Sequence, residues 1–600
     1  MATKPSTEGK TPLLDLAILG AGIYGICAAN TYLALHPAAH IKVLDSDTNV
    51  GGVWSASRLY PNFWSQTGIR VSGFPDKVFK PPAEAPEYHG LVEAKYLSRY
   101  LEEYVDGHEY DGRSLRERFV FGCWVRKVWK GVDDGVWSIE TTDIEGREVT
   151  YRAAKVIVAT GLSSIPSMPS LPGKEAFRGP ILHQKDFGRS RLLTDDETDA
   201  DQHEHITIIG GSKSAADIAY AATTTDTTTS TKPRKVSWII RTTGKGPLSF
   251  AGVKSPFAKY RNLTEVGSIR IVGCLSSANP YLPASTWREW FLYKTRVGDW
   301  LLEQIWTRPL KEYLAEADFG GREGRLEGFE GLRSEASVRW RAGPIGLMQR
   351  DDFWDVVARK VQVYRDDVVE VKENAVVLGD GRVVRTDVLA CCTGWKAAEF
   401  SFLGVQEAGR LGAPISLDQA AAVGREKAHW AELDEEADRK VLARWPCLAN
   451  VPPFTPDPVL ATPYRLYNMT LPIGDHSIAF LGLPLVPNSY HTALAQTLYA
   501  IAGLDGKLRL PPQEAMEKDV AFTNAWCKRR YPVHGHMGNV LEFEMVAFTD
   551  RLLAELGLES HRLGERERGT WSGWWMDLTD PCLAGDYGGL VDEYRRKLMA

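Results

Sequence analysis

The feature that most narrows the fold is a pattern that occurs twice: an apolar run, a glycine-rich turn and a helix of small residues. "LLDLAILGAGIYGICAANTYLALHP" opens the first copy and "IKVLDSD" closes it as a strand ending in acid. "HITIIGGSKSAADIAYAA" opens the second and "KVSWIIR" closes it. Short apolar runs bounded by such turns read as strands buried on both faces, and strands alternating with helices are joined by crossovers into parallel sheets. A chain of 600 residues is too long for one core, so the two copies predict two α/β domains.

The turns are the candidate binding sites. Gly20, Gly22 and Gly25 complete a GxGxxG, and Asp45 lies twenty residues past Gly25. Glycine permits the tight turn, the helix N-terminus attracts a pyrophosphate, and the carboxylate accepts from ribose hydroxyls. The second turn, Gly210-Gly211-Ser212-Lys213-Ser214-Ala215, carries serine at the second glycine place. That hydroxyl pushes a phosphate outward or donates to one. Gly210, Ser212, Lys213 and Ser214 are its candidate cofactor residues. The closing strand ends in Arg241, where an NAD site would place an acid. A guanidinium there suits a ribose 2′-phosphate through paired hydrogen bonds, which favours NADPH, with Lys213 as a second phosphate contact; a solvated arginine is the competing reading. The fold class is thus α/β with two Rossmann-like dinucleotide-binding domains.

Further motifs follow in order. "DSDTNVGGVW" contains Asp45, Gly51, Gly52 and Trp54; "VIVATG" ends in Thr160 and Gly161; "FRGPILHQKDF" spaces Phe177, Gly179, His183 and Phe187; "TDVLACCTGW" holds Asp387, Thr393 and Gly394. With these, most of residues 14–505 resembles the class B flavoprotein monooxygenases, and Phe187 matches the flavin-containing monooxygenase branch, where Baeyer-Villiger enzymes usually carry Trp. The resemblance implies FAD on the first turn, NADPH on the second, and crossings between the two domains at the Thr-Gly pairs. It implies a cycle in which NADPH reduces FAD, O2 adds to give a flavin hydroperoxide, and one oxygen atom passes to a small organic substrate at nitrogen, sulfur or carbon. A Baeyer-Villiger conversion of a ketone is the second reading, because it needs a cation beside the deprotonated peroxide and the sequence does not identify one. An NADPH oxidase or dehydrogenase, and a non-catalytic flavoprotein that binds partners, are the readings from other classes.

The candidate catalytic residues are Gln66, His183 and Asn488. By the resemblance, Gln66 stands where flavin-containing monooxygenases carry asparagine beside the flavin; a substrate contact or a plain helix residue are its alternatives. His183 has a supporting role in holding the linker and nicotinamide geometry. Asn488, Tyr490 and His491 in "VPNSYH" either line the substrate pocket or pack as an ordinary loop.

The expected organisation is a first part of the FAD domain at 1–165, an NADPH domain at 166–385 with a helical insertion at about 244–340, the rest of the FAD domain at 386–508, and a C-terminal extension at 509–600. Two polar low-complexity segments, "TDDETDADQHEH" and "TTTDTTTSTK", are expected as surface loops flanking the second copy. In the insertion, Trp287, Trp290, Trp300 and Trp306 roof the pocket, lie on a membrane surface or form a buried helical interface, the last being the first choice.

A net charge of −6 with both signs interspersed excludes a nucleic-acid stripe. The eight cysteines form no CxxC and read as reduced thiols of a cytoplasmic protein. The longest uncharged run, "SIAFLGLPLVPNSYHTALAQTLYAIAGL", is broken by prolines and reads as strand, loop and helix, with no transmembrane segment. No metal site is expected, and peripheral membrane contact stays open.

Overall fold

The first glycine-turn copy builds one sheet and the second builds another. The computed structural model describes residues 12–599 apart from 194–202, 226–233, 243–249, 256, 277, 285–286, 335–338, 341–345, 349, 397–399, 423–424, 452–458 and 564–568. β1 (Leu14–Leu19), β2 (Ile41–Leu44) and β3 (Phe119–Val120) run parallel. β4 (Cys123–Lys130) and β5 (Trp137–Asp143) are an antiparallel meander that pairs onto β6 (Glu148–Val158), and β6 also lies parallel to β1. The alternation of buried and half-buried residues along β5 fits a strand with one face on the core.

The second sheet is built from β7 (Ile181–His183), β8 (His205–Ile209), β9 (Lys235–Ile240), β10 (Val361–Arg365) and β11 (Val388–Cys391), in the order β7-β11-β8-β9-β10 with every pairing parallel. Past β11 the chain returns to the first sheet, where β12 (Ile478–Phe480) pairs in parallel with β6. Most of both polar low-complexity segments, and Gly244 at the expected start of the insertion, lie outside the described residues.

Each glycine turn opens a helix, α1 (Ile23–Leu35) in the first copy and α2 (Lys213–Thr224) in the second. The insertion supplies α3 (Trp287–Lys294) and α4 (Arg296–Ala317), and α5 (Phe353–Lys360) leads into β10. The long uncharged run resolves into β12, a loop and α6 (Ser489–Leu504), which is buried at every residue after Ser489. A helix apolar on all sides belongs in a core. No helix of the described residues is long and apolar enough to cross a membrane.

The C-terminal helices α7 (Gln513–Arg530), α8 (Met545–Leu556), α9 (Trp571–Thr579) and α10 (Leu590–Met599) do not stand apart. Trp526, Tyr531, Phe548, Tyr587 and Tyr594 are buried in the same core as α1 and α6, joined there by Tyr293, Leu302 and Trp306 of the insertion. α4 spans two cores: Leu302 and Trp306 belong to this one, while Tyr313 and Ala317 belong to the core of the second sheet. It is therefore a strut between the two sheets, and the space beside it is where a shared chamber can form.

The tryptophans of the insertion depart from the buried-interface expectation. Of the four expected there, Trp306 alone is buried, whereas Trp287, Trp290 and Trp300 are 80%, 61% and 61% exposed. α3 and α4 pack through Leu292, Tyr293 and Leu302 instead, which leaves the indoles of the opposite faces in solvent.

Candidate active site

The first cradle is assembled by backbone approach. A Cβ on Gly25 would sit 1.8 Å from the Gly20 carbonyl oxygen, and one on Gly20, whose φ is +111°, would sit 2.4 Å from the Ala159 oxygen just past β6. Both glycines are thus required by the chain itself. Gly22 differs, since its nearest neighbour would be the Gly52 Cα at 3.8 Å. The space it leaves open faces the uncapped N-terminus of α1. Gly51, with φ +116°, holds the neighbouring turn and its N–H donates to the Ala21 oxygen at 2.9 Å. The Asp45 carboxylate accepts from the backbone N–H of Ala21 at 2.5 Å and of Asp47 at 2.7 Å, and burial holds its pKa above the usual range. Unfilled space over a helix N-terminus, with an acid at the next strand end, fits a pyrophosphate and ribose and hence FAD.

The second cradle repeats the design. A Cβ on Gly210, at φ +127°, would lie 2.2 Å from the Cys392 oxygen. Ser212 is the N-cap of α2 but makes no capping bond; its hydroxyl donates to the Cys392 oxygen at 3.3 Å, and half-buried Ser214 sits in the first turn. Arg241 is exposed just beyond β9, the strand paired with the one that leads into the turn. The side chain of Lys213, the other expected phosphate contact, is buried and ion-paired with Asp217 one helical turn on.

The spaced residues of "FRGPILHQKDF" tie the crossings together. A Cβ on Gly179 would lie 1.8 Å from the Asp387 oxygen, and Phe187 is buried in the second core with its ring against Tyr60. His183 is buried; its Nε2 lies 2.8 Å from the Gly394 carbonyl oxygen and its Nδ1 accepts from the Lys185 N–H at 3.2 Å. These partners fix the neutral tautomer with the proton on Nε2. Ser167 and Thr393 complete the clip, the Thr393 hydroxyl donating to the Ser167 oxygen at 2.6 Å and the Ser167 N–H to the Gly394 oxygen at 3.1 Å. Thr160 and Gly161 start the outgoing crossing, with the Ser164 hydroxyl donating to the Thr160 oxygen.

His183 carries a testable pH dependence. Burial lowers its pKa below the usual 6.5, so between the two values the unfolded chain binds the proton that the folded chain refuses. Its contribution is present in full above the unfolded pKa and is lost as pH falls through the folded one. His183→Ala is expected to cost about 1–2 kcal/mol for the two hydrogen bonds. The thermal midpoint of the wild type should also fall more steeply than that of the variant between about pH 8 and pH 5; parallel pH curves would remove the clip.

A cavity of about 650 Å³ lies beside α4. Trp54 and Gln66 reach it from the first domain, Phe250 and Leu263 from the segment after β9, Trp306, Pro309 and Leu310 from α4, and Val540 and Phe543 from the C-terminal region. Gln66 is brought to this wall, but Asn488 is not. Asn488 is buried as the N-cap of α6, accepting from the Tyr490 N–H at 3.0 Å and donating to the Val71 oxygen at 2.8 Å. Both ends of its amide are used structurally, which corrects its expected catalytic place. Tyr490 and His491 are likewise buried, against Phe74 and Tyr587. The loop instead presents Leu485, Val486 and Pro487 to the cavity.

Two groups that sequence reasoning missed face this space, Arg350 and Glu542. The Arg350 guanidinium lies 4.1 Å from the centre of the Trp64 ring and 5.9 Å from that of Tyr88, with no carboxylate partner among the described residues. A third omission is buried Asp47, which pairs with Arg58 at 3.0 Å and with Arg189 just past Phe187. It pins the linker to the first cradle.

The comparisons with known proteins agree with this geometry. The family described as L-lysine 6-monooxygenase/L-ornithine 5-monooxygenase matches residues 89–258. Cyclohexanone monooxygenase from Rhodococcus sp. Phi1 bound to NADP+ superimposes with a TM-score of 0.55 at 16% identity, over 91% of this chain and 97% of that one. An oxidized steroid monooxygenase bound to NADP gives 0.54 at 15% identity, over 92% and 99%. An FAD-dependent monooxygenase from Aspergillus sclerotiorum is 28% identical over 92% of this chain and 94% of that protein. One from Pyrenophora dematioidea is 30% identical over 92% of this chain and 99% of its own length. The chain therefore belongs to the FAD-dependent monooxygenases.

Proposed function

We propose that this monooxygenase uses NADPH as its reductant and transfers one oxygen atom of O2 to a mostly apolar organic molecule held in the cavity beside α4. The observation that carries this reading is the cavity itself: it opens against Trp54 and Gln66, next to the first cradle, and is walled by aliphatic and aromatic side chains from widely separated segments of the chain. FAD, when bound, supplies the redox chemistry and the activation of oxygen. The chain's own residues bind, orient and exclude water. Gln66 stands at the cavity wall, Trp306, Leu310 and Val486 keep water out, and Arg241 is the residue that would hold a 2′-phosphate. Eight unpaired cysteines support a cytoplasmic setting.

A second reading, Baeyer-Villiger oxygenation of a ketone, is favoured by Arg350. That route runs through an anionic oxygen nucleophile, and a cation stacked on Trp64 at the cavity wall supplies the charge the sequence had not revealed.

The test is turnover of the NADPH-supplied holoenzyme under isotopically labelled O2 with a panel of ketones, thioethers and tertiary amines. One labelled atom in the product is the expected result, and the reacting member of the panel separates the two readings. NADPH consumption that yields only labelled hydrogen peroxide across the panel would overturn the monooxygenase reading in favour of an oxidase.

A further inference from the structure

Besides Tyr88 and Tyr313, the titratable side chains around the cavity fall into two groups. Lys254, Glu312, Glu316 and Asp351 are exposed and ring its mouth, whereas Arg350, His534 and Glu542 are half-buried in its wall. Glu542 is the one inner carboxylate, and no hydrogen bond or ion pair engages it among the described residues. Its neighbour Glu544 is fully engaged, accepting from the hydroxyls of Ser276 and Tyr531. The backbone on either side of Glu542 is fixed. The Leu541 N–H donates to the Leu485 oxygen at 2.9 Å, the Leu485 N–H donates to the Asn539 oxygen at 2.7 Å, and the Phe543 ring packs 4.4 Å from Trp306. A carboxyl held on a rigid segment, and facing a cavity whose wall beside it is formed by Leu485, Val486, Pro487 and Trp306, carries an unmet demand for a donor.

We propose that Glu542 is a specificity-determining residue that receives an ammonium group, borne by the substrate at a distance from the carbon or heteroatom that is oxygenated. This deepens the functional reading above and rests on the cavity being the substrate site. A cationic amine meets the carboxylate with a charge-assisted hydrogen bond while its apolar body fills the rest of the space. The surroundings tune the group. Burial and the adjacent Glu544 push the Glu542 pKa up to about 7, and buried Arg530 partly offsets them. The other titratable groups about it are Tyr531 and His534, while Leu485, Val486, Pro487 and Trp306 bring only apolar side chains. Because the pKa is raised, the carboxyl is neutral below about pH 7 and charged above it, so the preference for an amine grows as pH rises through that value.

The test uses the FAD-loaded enzyme and two probes of one shape, 4-phenylbutylamine and butylbenzene, titrated calorimetrically at about pH 6 and pH 8. The amine should bind at least about tenfold more tightly than the hydrocarbon at the higher pH, the ratio expected of a charge-assisted hydrogen bond, and the margin should shrink severalfold at the lower pH. Glu542→Gln, which keeps the shape, should abolish the margin and leave butylbenzene binding unchanged; Glu316→Gln at the mouth should change neither. Equal affinity for the two probes, failure of both to bind, or a margin that survives Glu542→Gln or disappears in Glu316→Gln would overturn the assignment. Labelled oxygen in a product without any amine preference defeats the anchor alone, while the amine pattern without labelled product defeats the oxygenase reading alone.

Discussion

Gly25→Ala is expected to yield a protein that retains no FAD and unfolds well below the wild type, whereas Gly22→Ala is expected to fold normally and still lose the flavin. The contrast follows from what each added methyl would meet. At position 25 it would overlap the Gly20 carbonyl oxygen at 1.8 Å, and Gly20 cannot retreat because its own backbone lies against Ala159. Relief requires moving the start of α1 away from β6, which breaks a packed core and costs about 3 kcal/mol or more. At position 22 the methyl has 3.8 Å of room, so the chain tolerates it and only a ligand approaching the helix N-terminus would not. Comparing thermal midpoints and bound flavin absorbance for the two variants separates chain packing from ligand space. Flavin retention by Gly22→Ala at the wild-type level would show that FAD does not lie over this turn.

That pair also shows how the site divides into what a sequence displays and what it hides. The cradles were legible because each depends on residues a few positions apart: glycines where no Cβ fits, a helix whose N-terminus follows at once, and an acid or arginine at the next strand end. The FxGxxxH spacing was equally visible, and the structure supplies its physical reason, since Gly179 and His183 press against Asp387 and Gly394, residues more than two hundred positions away in the chain. The substrate cavity was not legible. Its wall draws on residues near positions 54, 250, 306, 350, 486 and 542, and no local pattern records that α4 bridges two cores or that the C-terminal helices share the core of α1. Asn488 misled for a related reason: an asparagine before an apolar helix is both a plausible amide donor and an ordinary N-cap, and only its two hydrogen-bond partners decide between them. At Lys213 the glycine turn suggests a phosphate contact, while the partner that the structure shows is Asp217 at i+4.

Arg350→Ala is expected to reduce oxygen transfer to a ketone by at least about a hundredfold, the loss typical of removing one positioned electrostatic group from a site of this kind. Reduction of the flavin by NADPH should stay within about threefold of wild type, because Arg350 lies on the cavity wall and outside both cradles. The measurable signature is therefore uncoupling: NADPH is still consumed, but hydrogen peroxide replaces the ester or lactone. Lysine should not restore the activity. The guanidinium is positioned as a flat plate 4.1 Å from the Trp64 ring centre, and an ammonium on a flexible stem neither stacks in that way nor presents paired donors in one plane. Thioether oxygenation supplies the internal control, since the electrophilic route needs no anionic oxygen and so no adjacent cation. If ketone and thioether turnover fall together in Arg350→Ala, the arginine organises the cavity as a whole. If ketone turnover alone collapses, its charge serves the Baeyer-Villiger route. Undiminished ketone turnover would remove Arg350 from the chemistry and leave heteroatom oxygenation as the reading the cavity supports.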